Sequence, residues 1–381
     1  MKNIRNKVAI VLLAHSDFES LEISLAAHTK FLPEDVKIFI LQNGRGSYDC
    51  ERTYRVARRY ADLFPRNVTV VDWIEPQVAY HAIKSLLSDD CMSKFDYICK
   101  VDDDVFPITH DWLDTLCKCY ENAHSQYGND LAYVTSLVNN NPFGFVQLVE
   151  KTHLGEEYFA KIAREYIVGV PREYAPCHRS EYPERLLPKS ELSSFAYGTG
   201  RRNPYVARWI HSKTTLDADG FIEMTQNLAD VEVDATERYS INLMMFPKQF
   251  WNDIDCGNSS DEFCSHMYCR ENNKKIIAAL NVPSVHLFFQ GQRDENKDLI
   301  PAIRDYYQSW LDLPFPISLC PLKEYENENR LRFLERRFHA KKSRKMATHL
   351  KYRAYKVLSK ITFGKLRNRC LAQARRYKQR L

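Results

Sequence analysis

Within its first hundred residues the chain alternates short apolar runs with segments of helical spacing, and few folds accept that order. Val8–Ala14 (VAIVLLA), Val36–Leu41 (VKIFIL), Val68–Val71 and Phe95–Val101 (FDYICKV) are apolar and rich in β-branched or aromatic residues, as buried strands require. Between them, Phe18–Thr29, Glu51–Phe64 and Tyr80–Leu87 repeat apolar residues at helical intervals. Ser16 or Asp17 would cap the first helix, and Asn43-Gly44 supplies a turn after the second strand. Strands that are apolar throughout are buried on both faces, which is the signature of parallel sheets covered by crossover helices. The expected fold class is therefore α/β: a Rossmann-like, mostly parallel sheet with helices on both faces, followed by a basic helical C-terminal tail.

In such a sheet ligands gather beyond the carboxyl ends of the strands. That places Ala14–Asp17, Gln42–Gly46, Asp72–Glu75 and Asp102–Asp104 at the edge where chemistry is expected. Further along, a helix over Thr109–Ala123 and a strand over Leu131–Leu137 are expected. The stretch from Asn139 to about Asp219 carries several prolines and many tyrosines, and reads as an insertion of loops and short helices on the acceptor side. Val231–Phe246 alternates as a hairpin or paired strands would, Ser259–Asn272 is helical, and Val282–Phe289 is a strand. The expected organisation is a first, ligand-binding half over residues 1–138, a second half of the same domain with an insertion over 139–310, and a linker and tail over 311–381.

Charge divides the chain differently. Residues 330–381 hold 19 Lys and Arg and a single acid, Glu335, so the formal net charge of +5 conceals an acidic body of −13. Apolar residues among those bases fall at roughly helical spacing, as in a basic amphipathic helix. An anionic membrane surface is the expected partner of 330–381; no nucleic-acid motif accompanies the charge, so nucleic acid is not the expected one. The short apolar run at Val8–Ala14 follows three bases but reads as a strand, not a signal peptide, and no stretch approaches the ~18 apolar residues of a membrane span. The 11 scattered cysteines read as reduced thiols, which favours a cytoplasmic location. With only 12 glycines, the chain has neither GxGxxG nor GxxxxGK[ST], so glycine-rich phosphate loops are excluded.

The sharpest motif is Lys100–Phe106, KVDDDVF, where an apolar strand runs into three aspartates. In extended chain Asp102 and Asp104 would face one side and Asp103 the other. Carboxylates crowded together repel unless a cation joins them, and oxygen ligands select hard ions such as Mg²⁺ or Mn²⁺. The plainer alternative is an acidic turn after a strand.

KVDDDVF at this point in an α/β sheet resembles the DxD motif of the nucleotide-sugar-dependent glycosyltransferases of GT-A fold. It is similar in particular to the aspartate motif of the β-1,3-galactosyltransferase and fringe-like branch. The strand–loop segment AHSDFESLEISL and the QNG after the second strand look more like bacterial family-2 enzymes. The resemblance spans about residues 5–290. It implies Mn²⁺ or Mg²⁺ held by Asp102, Asp104 and His286 in VPSVHLFF, and a nucleoside-diphosphate sugar, UDP-sugar favoured, met by Ala14, His15, Ser16, Asp17, Asn43, Asp72, Asp102 and Asp103. In Ser260-Asp261-Glu262 it implies a catalytic base, with Glu262 at the matching position and Asp261 as rival, although the order Asp-Glu reverses the usual one. The acceptor would be a glycan or lipid-linked hydroxyl in cell-surface polysaccharide synthesis, at the cytoplasmic face of a membrane. Two other classes share these features: a metal-dependent nucleotidyl or phosphoryl transferase, and a non-catalytic binding protein with a basic tail.

Overall fold

The alternation seen in the sequence is realised as one twisted sheet. In the computed structural model, described over residues 4–44, 47–73, 78–158, 204–235, 242–257, 259–287, 296–314 and 317, nine strands join in it. They are β1 (Val8–Ala14), β2 (Lys37–Asn43), β3 (Val68–Trp73), β4 (Tyr97–Asp102), β5 (Val105–Pro107), β6 (Leu131–Val138), β7 (Val231–Val233), β8 (Leu243–Pro247) and β9 (Lys275–His286). Their order is β3-β2-β1-β4-β8-β6-β9-β5, with β7 also on β9. Strands β1 to β4, β6 and β9 run in one direction; β5, β7 and β8 run against them. The expected mostly parallel α/β sheet is thus present. Every residue of β6 is buried, and all but one of β1. Because neighbouring side chains point to opposite faces, both faces of these strands are covered.

The first helices sit where their spacing places them. Phe18–Phe31 is capped by Asp17, whose side chain accepts from Ser20 N–H, and Tyr48–Leu63 is capped by Ser47. Gly44 takes the positive φ of the turn after β2. Pro142–Lys151 follows β6, capped by Asn141. The helix approaches the strand end so closely that a Cβ on Gly144 would stand 1.7 Å from the Val138 carbonyl oxygen.

Two expectations for the second half change. Val231–Phe246 is no hairpin: β7 lies on β9, whereas β8 lies between β4 and β6. β8 is buried at four successive residues and does not alternate, and the partners of both strands come from elsewhere in the chain. Strand β9 begins at Lys275, seven residues before the expected start. Pro283 hides it, since proline interrupts a strand pattern. The register with β6 slips between Ala279 and Pro283, and this bulge accommodates the missing N–H.

The chain divides into two units, 1–318 and 319–381. The second lies outside the described residues, as does most of the expected insertion from Asn139 to Asp219. Among the described residues no helix is long and apolar enough to cross a membrane, and eight cysteines are free thiols.

Candidate functional site at the carboxyl edge of the sheet

The strand registers line the expected loops along one edge. Ala14 pairs with Gln42, Gln42 with Asp72, and Leu13 with Asp102. Gln42, fully buried, donates from its amide to the carbonyls of His15 and Gly44, so it staples the loop after β1 to the turn after β2. The His15 ring meets the Asn43 carbonyl at 2.6 Å, and the His15 N–H donates to Asp103 at 3.2 Å. Ala14 is buried, and Asp17 is the helix cap described above. The ends of β1 and β2 are thereby tied to the aspartate motif that closes β4.

Asp103 and Asp104 do not continue β4. They form the turn into β5, so the extended-chain expectation of Asp102 and Asp104 sharing one side gives way to three diverging carboxylates. Asp102 accepts from Lys100 Nζ at 2.7 Å and from the Asn242 amide at 3.0 Å. Asp103 turns to His15. Asp104, 5% exposed, faces His286 Nε2 at 3.3 Å. The Asp104 carbonyl accepts from Leu287 N–H, and Val105 pairs with His286 in the β5–β9 ladder. Backbone pairing therefore brings His286 to the motif from the far end of β9.

Lys100 is the site's buried cation. Its side chain is 3% exposed, 2.7 Å from Asp102 and 3.6 Å from Asp261 Oδ2. Burial alone would lower its pKa, but the carboxylates of Asp102 and Asp261 reverse the effect and hold it above the ordinary value. Asp261 and Glu262 open the helix Asp261–Glu271, capped by Ser260. The structure thus brings Asp261 to within one lysine of the aspartate motif. Glu262, next to it in the same first turn, is partly exposed.

His286 is 4% exposed. Burial pulls its pKa down, and the neighbouring Asp104 more than offsets this and lifts it above the ordinary value. Its Nδ1 lies 2.9 Å from the Asn140 carbonyl oxygen. A carbonyl only accepts, so Nδ1 carries hydrogen and Nε2 is the nitrogen turned to Asp104. A carboxylate also only accepts. The contact between Nε2 and Asp104 therefore needs a positive species, either the ring's own second proton or a cation shared by the two groups.

Among the described residues no three His, Cys, Asp or Glu side chains are grouped as metal ligands. Lys84 donates to the Tyr80 hydroxyl at 2.7 Å. His211 is fully buried and bonds Asn140 and Thr215. Sequence reasoning placed Gln42 at this edge and quoted Lys100 within the motif without giving either a role, and it passed over Asn242 and the run Asn139-Asn140-Asn141. The run stands directly after β6, at the same sheet edge as the aspartates.

No family model matches the chain, and no curated protein does. Solved structures that resemble it include those titled apo-UDP-glucose pyrophosphorylase and UDP-glucose pyrophosphorylase complexed with UDP-glucose. They cover 80% and 79% of this chain and 99% of theirs, at 10% identity and TM-scores of 0.36 and 0.35. At that level of agreement they say nothing about what this chain does.

Proposed function

We propose that this chain is a metal-dependent glycosyltransferase. It would move a sugar from a nucleoside-diphosphate donor to a hydroxyl of a glycan or lipid-linked acceptor. The observation that carries the reading is the Asp104–His286 pair, 3.3 Å apart, set at the carboxyl edge of a mostly parallel sheet. One carboxylate oxygen and one imidazole nitrogen suit Mn²⁺, and Mg²⁺ is likewise held by few protein ligands while phosphate oxygens and water supply the rest. The pair therefore fits such an ion, with Asp102 beside it but engaged by Lys100 and Asn242. When bound, Mn²⁺ or Mg²⁺ would neutralise the charge that develops on the departing diphosphate.

The remaining roles fall to side chains of the same edge. His15, Ser16, Asn43, Asp72 and Asp103, on strand ends and loops of that edge, would meet the nucleotide. Asp261 or Glu262 takes the proton from the acceptor hydroxyl if the reaction inverts. Lys100 sets its charge between Asp102 and Asp261, 2.7 Å from the first and 3.6 Å from the second. Residues 330–381 would dock the enzyme on an anionic membrane from the cytoplasmic side, each base near the surface adding about 1 kcal/mol. A chain ending at residue 329 that sediments with anionic vesicles as well as the full chain would end the docking proposal.

The decisive assay is product release from UDP- and GDP-sugars with Mn²⁺ and with EDTA. Metal-dependent release of nucleoside diphosphate, lost in Asp104→Ala, is the expected result. Equal release in EDTA, or from Asp104→Ala, would contradict the reading. Pyrophosphate formation from a sugar 1-phosphate and nucleoside triphosphate would instead establish nucleotidyl transfer, the activity in the names of the similar structures.

A further inference from the structure

Behind the Asp104–His286 pair lies a set of buried polar side chains that neither donor nor acceptor can touch. Asn139, His211, Thr214 and Thr215 are fully buried, and Asn140 is 2% exposed. Burying so many polar groups is costly unless each finds a partner, and here the partners dictate one another. The backbone N–H of His286 donates to Asn139 Oδ1 at 2.8 Å. This fixes the Asn139 amide, whose nitrogen donates to Thr214 Oγ1 at 2.7 Å and Thr215 Oγ1 at 3.0 Å. The Thr214 hydroxyl donates onward to the Ile210 carbonyl at 2.6 Å. In parallel, the Asn140 amide nitrogen lies 3.2 Å from His211 Nε2. An amide nitrogen only donates, so His211 Nε2 is the acceptor and its hydrogen sits on Nδ1, 2.8 Å from Thr215 Oγ1. Both branches end on the helix Pro204–Lys213 and the turn after it.

We propose that His211, acting through Asn140, is a positioning residue for His286. It holds the Asn140 peptide so that its carbonyl keeps hydrogen on His286 Nδ1 and leaves Nε2 directed at Asp104, while Asn139 clamps the His286 backbone. Without the acceptor on His211, the Asn140 amide loses that contact and the peptide carrying the carbonyl is held less firmly. The His286 ring can then turn or place its hydrogen on Nε2, the nitrogen a cation needs. The inference rests on the metal-dependent reading of the Asp104–His286 pair, and it adds that the ligand's orientation is set from a helix contributed by the second half of the chain.

The test uses the full chain with Mn²⁺ itself as probe. Mn²⁺ affinity is measured by titration calorimetry, and the slowly exchanging imidazole Nδ1 proton of His286 by ¹⁵N-histidine NMR with and without the ion. His211→Leu is expected to lose that proton signal and to weaken Mn²⁺ binding about 10- to 100-fold, as supporting residues of metal ligands do. His211→Gln, which can set an amide oxygen where Nε2 stands, is expected to keep the signal and bind within about threefold of the parent. An intact signal in folded His211→Leu, with unchanged affinity, would overturn the proposal. Should His211→Leu fail to fold, Asn140→Ser decides in its place, with loss of the signal expected and its retention refuting. A parent chain that binds no Mn²⁺ would defeat the metal-dependent reading alone, since the proton signal still reports on the positioning.

Discussion

Replacing Lys100 by methionine tests whether the carboxylates of the site are held together by one buried cation. Methionine keeps the length and apolar stem of the side chain while removing its charge. At an effective dielectric of about 20, attraction across the 2.7 Å contact with Asp102 is roughly 6 kcal/mol, and across the 3.6 Å contact with Asp261 roughly 5 kcal/mol. Desolvation of the ammonium offsets much of this in the native protein. What the variant feels is the other half of the pair, an uncompensated buried charge, which costs about 3–5 kcal/mol. That is a large part of the stability of a typical domain, about 5–15 kcal/mol. Urea unfolding of Lys100→Met at pH 7.5 is expected to show a correspondingly lower midpoint. The deficit should shrink towards acid pH, where Asp102, whose carboxyl burial holds above its ordinary value, can protonate instead of remaining charged. Adding Asp102→Asn should restore much of the loss at pH 7.5. A single variant that unfolds at the parent's midpoint, or a double variant no better than the single, would refute the argument.

Three further outcomes follow from particular contacts. Glu22 is fully buried beside Arg59, and burial raises its carboxyl to about 7. It is neutral in both states at pH 4, ionises first in the unfolded chain as pH rises from 4.5 to 7, and so destabilises the fold by about 3 kcal/mol above pH 7; Glu22→Gln should flatten stability over that window and match the parent near pH 4 in urea titrations at several pH values. Gly144→Ala would place a methyl 1.7 Å from the Val138 carbonyl oxygen, so the helix must shift, with a loss of about 1–3 kcal/mol readable by thermal unfolding. For the base, Asp261→Asn and Glu262→Gln should differ: the catalytic one loses about 10²–10⁴ in kcat, whereas the other leaves kcat within an order of magnitude in the release assay with acceptor present.

Much of the donor side of this site was legible because parallel α/β architecture announces itself. Apolar runs, a capping aspartate and an Asn-Gly turn located β1, β2 and β4, and the sheet-edge rule then pointed to Ala14–Asp17, Asn43 and Asp102–Asp104. The same rule, applied to the strand after Leu131, leads to Asn139-Asn140-Asn141. These are easily missed because amides carry no charge and look like loop residues. Yet Asn139 holds the His286 backbone, Asn140 holds its ring, and Asn141 caps a helix. Lys100 was hidden by its place inside an apolar strand, where a single charge reads as an interruption. Asp102, two residues on, receives it at 2.7 Å, and Asp261 approaches from far along the chain to 3.6 Å; together they let a buried strand tolerate it. Pairings of β7, β8 and β9 depend on such distant partners, which local periodicity does not encode.

The reversed strand β8 has a consequence for how the molecule is made. It separates β4 from β6, yet it is synthesised some 140 residues after β4. Until it arrives, the sheet formed by β3, β2, β1 and β4 ends in an apolar strand with open hydrogen-bonding groups. Such an edge invites pairing with other chains, and long-range strand pairing is slow. An inward-pointing charge is one of the means by which natural edges discourage that pairing. Lys100 lies in the middle of β4, where the nascent chain has no Asp261 to receive it. The lysine that stands between two carboxylates of the completed site is thus, until β8 arrives, a charge within the open edge strand of an unfinished sheet.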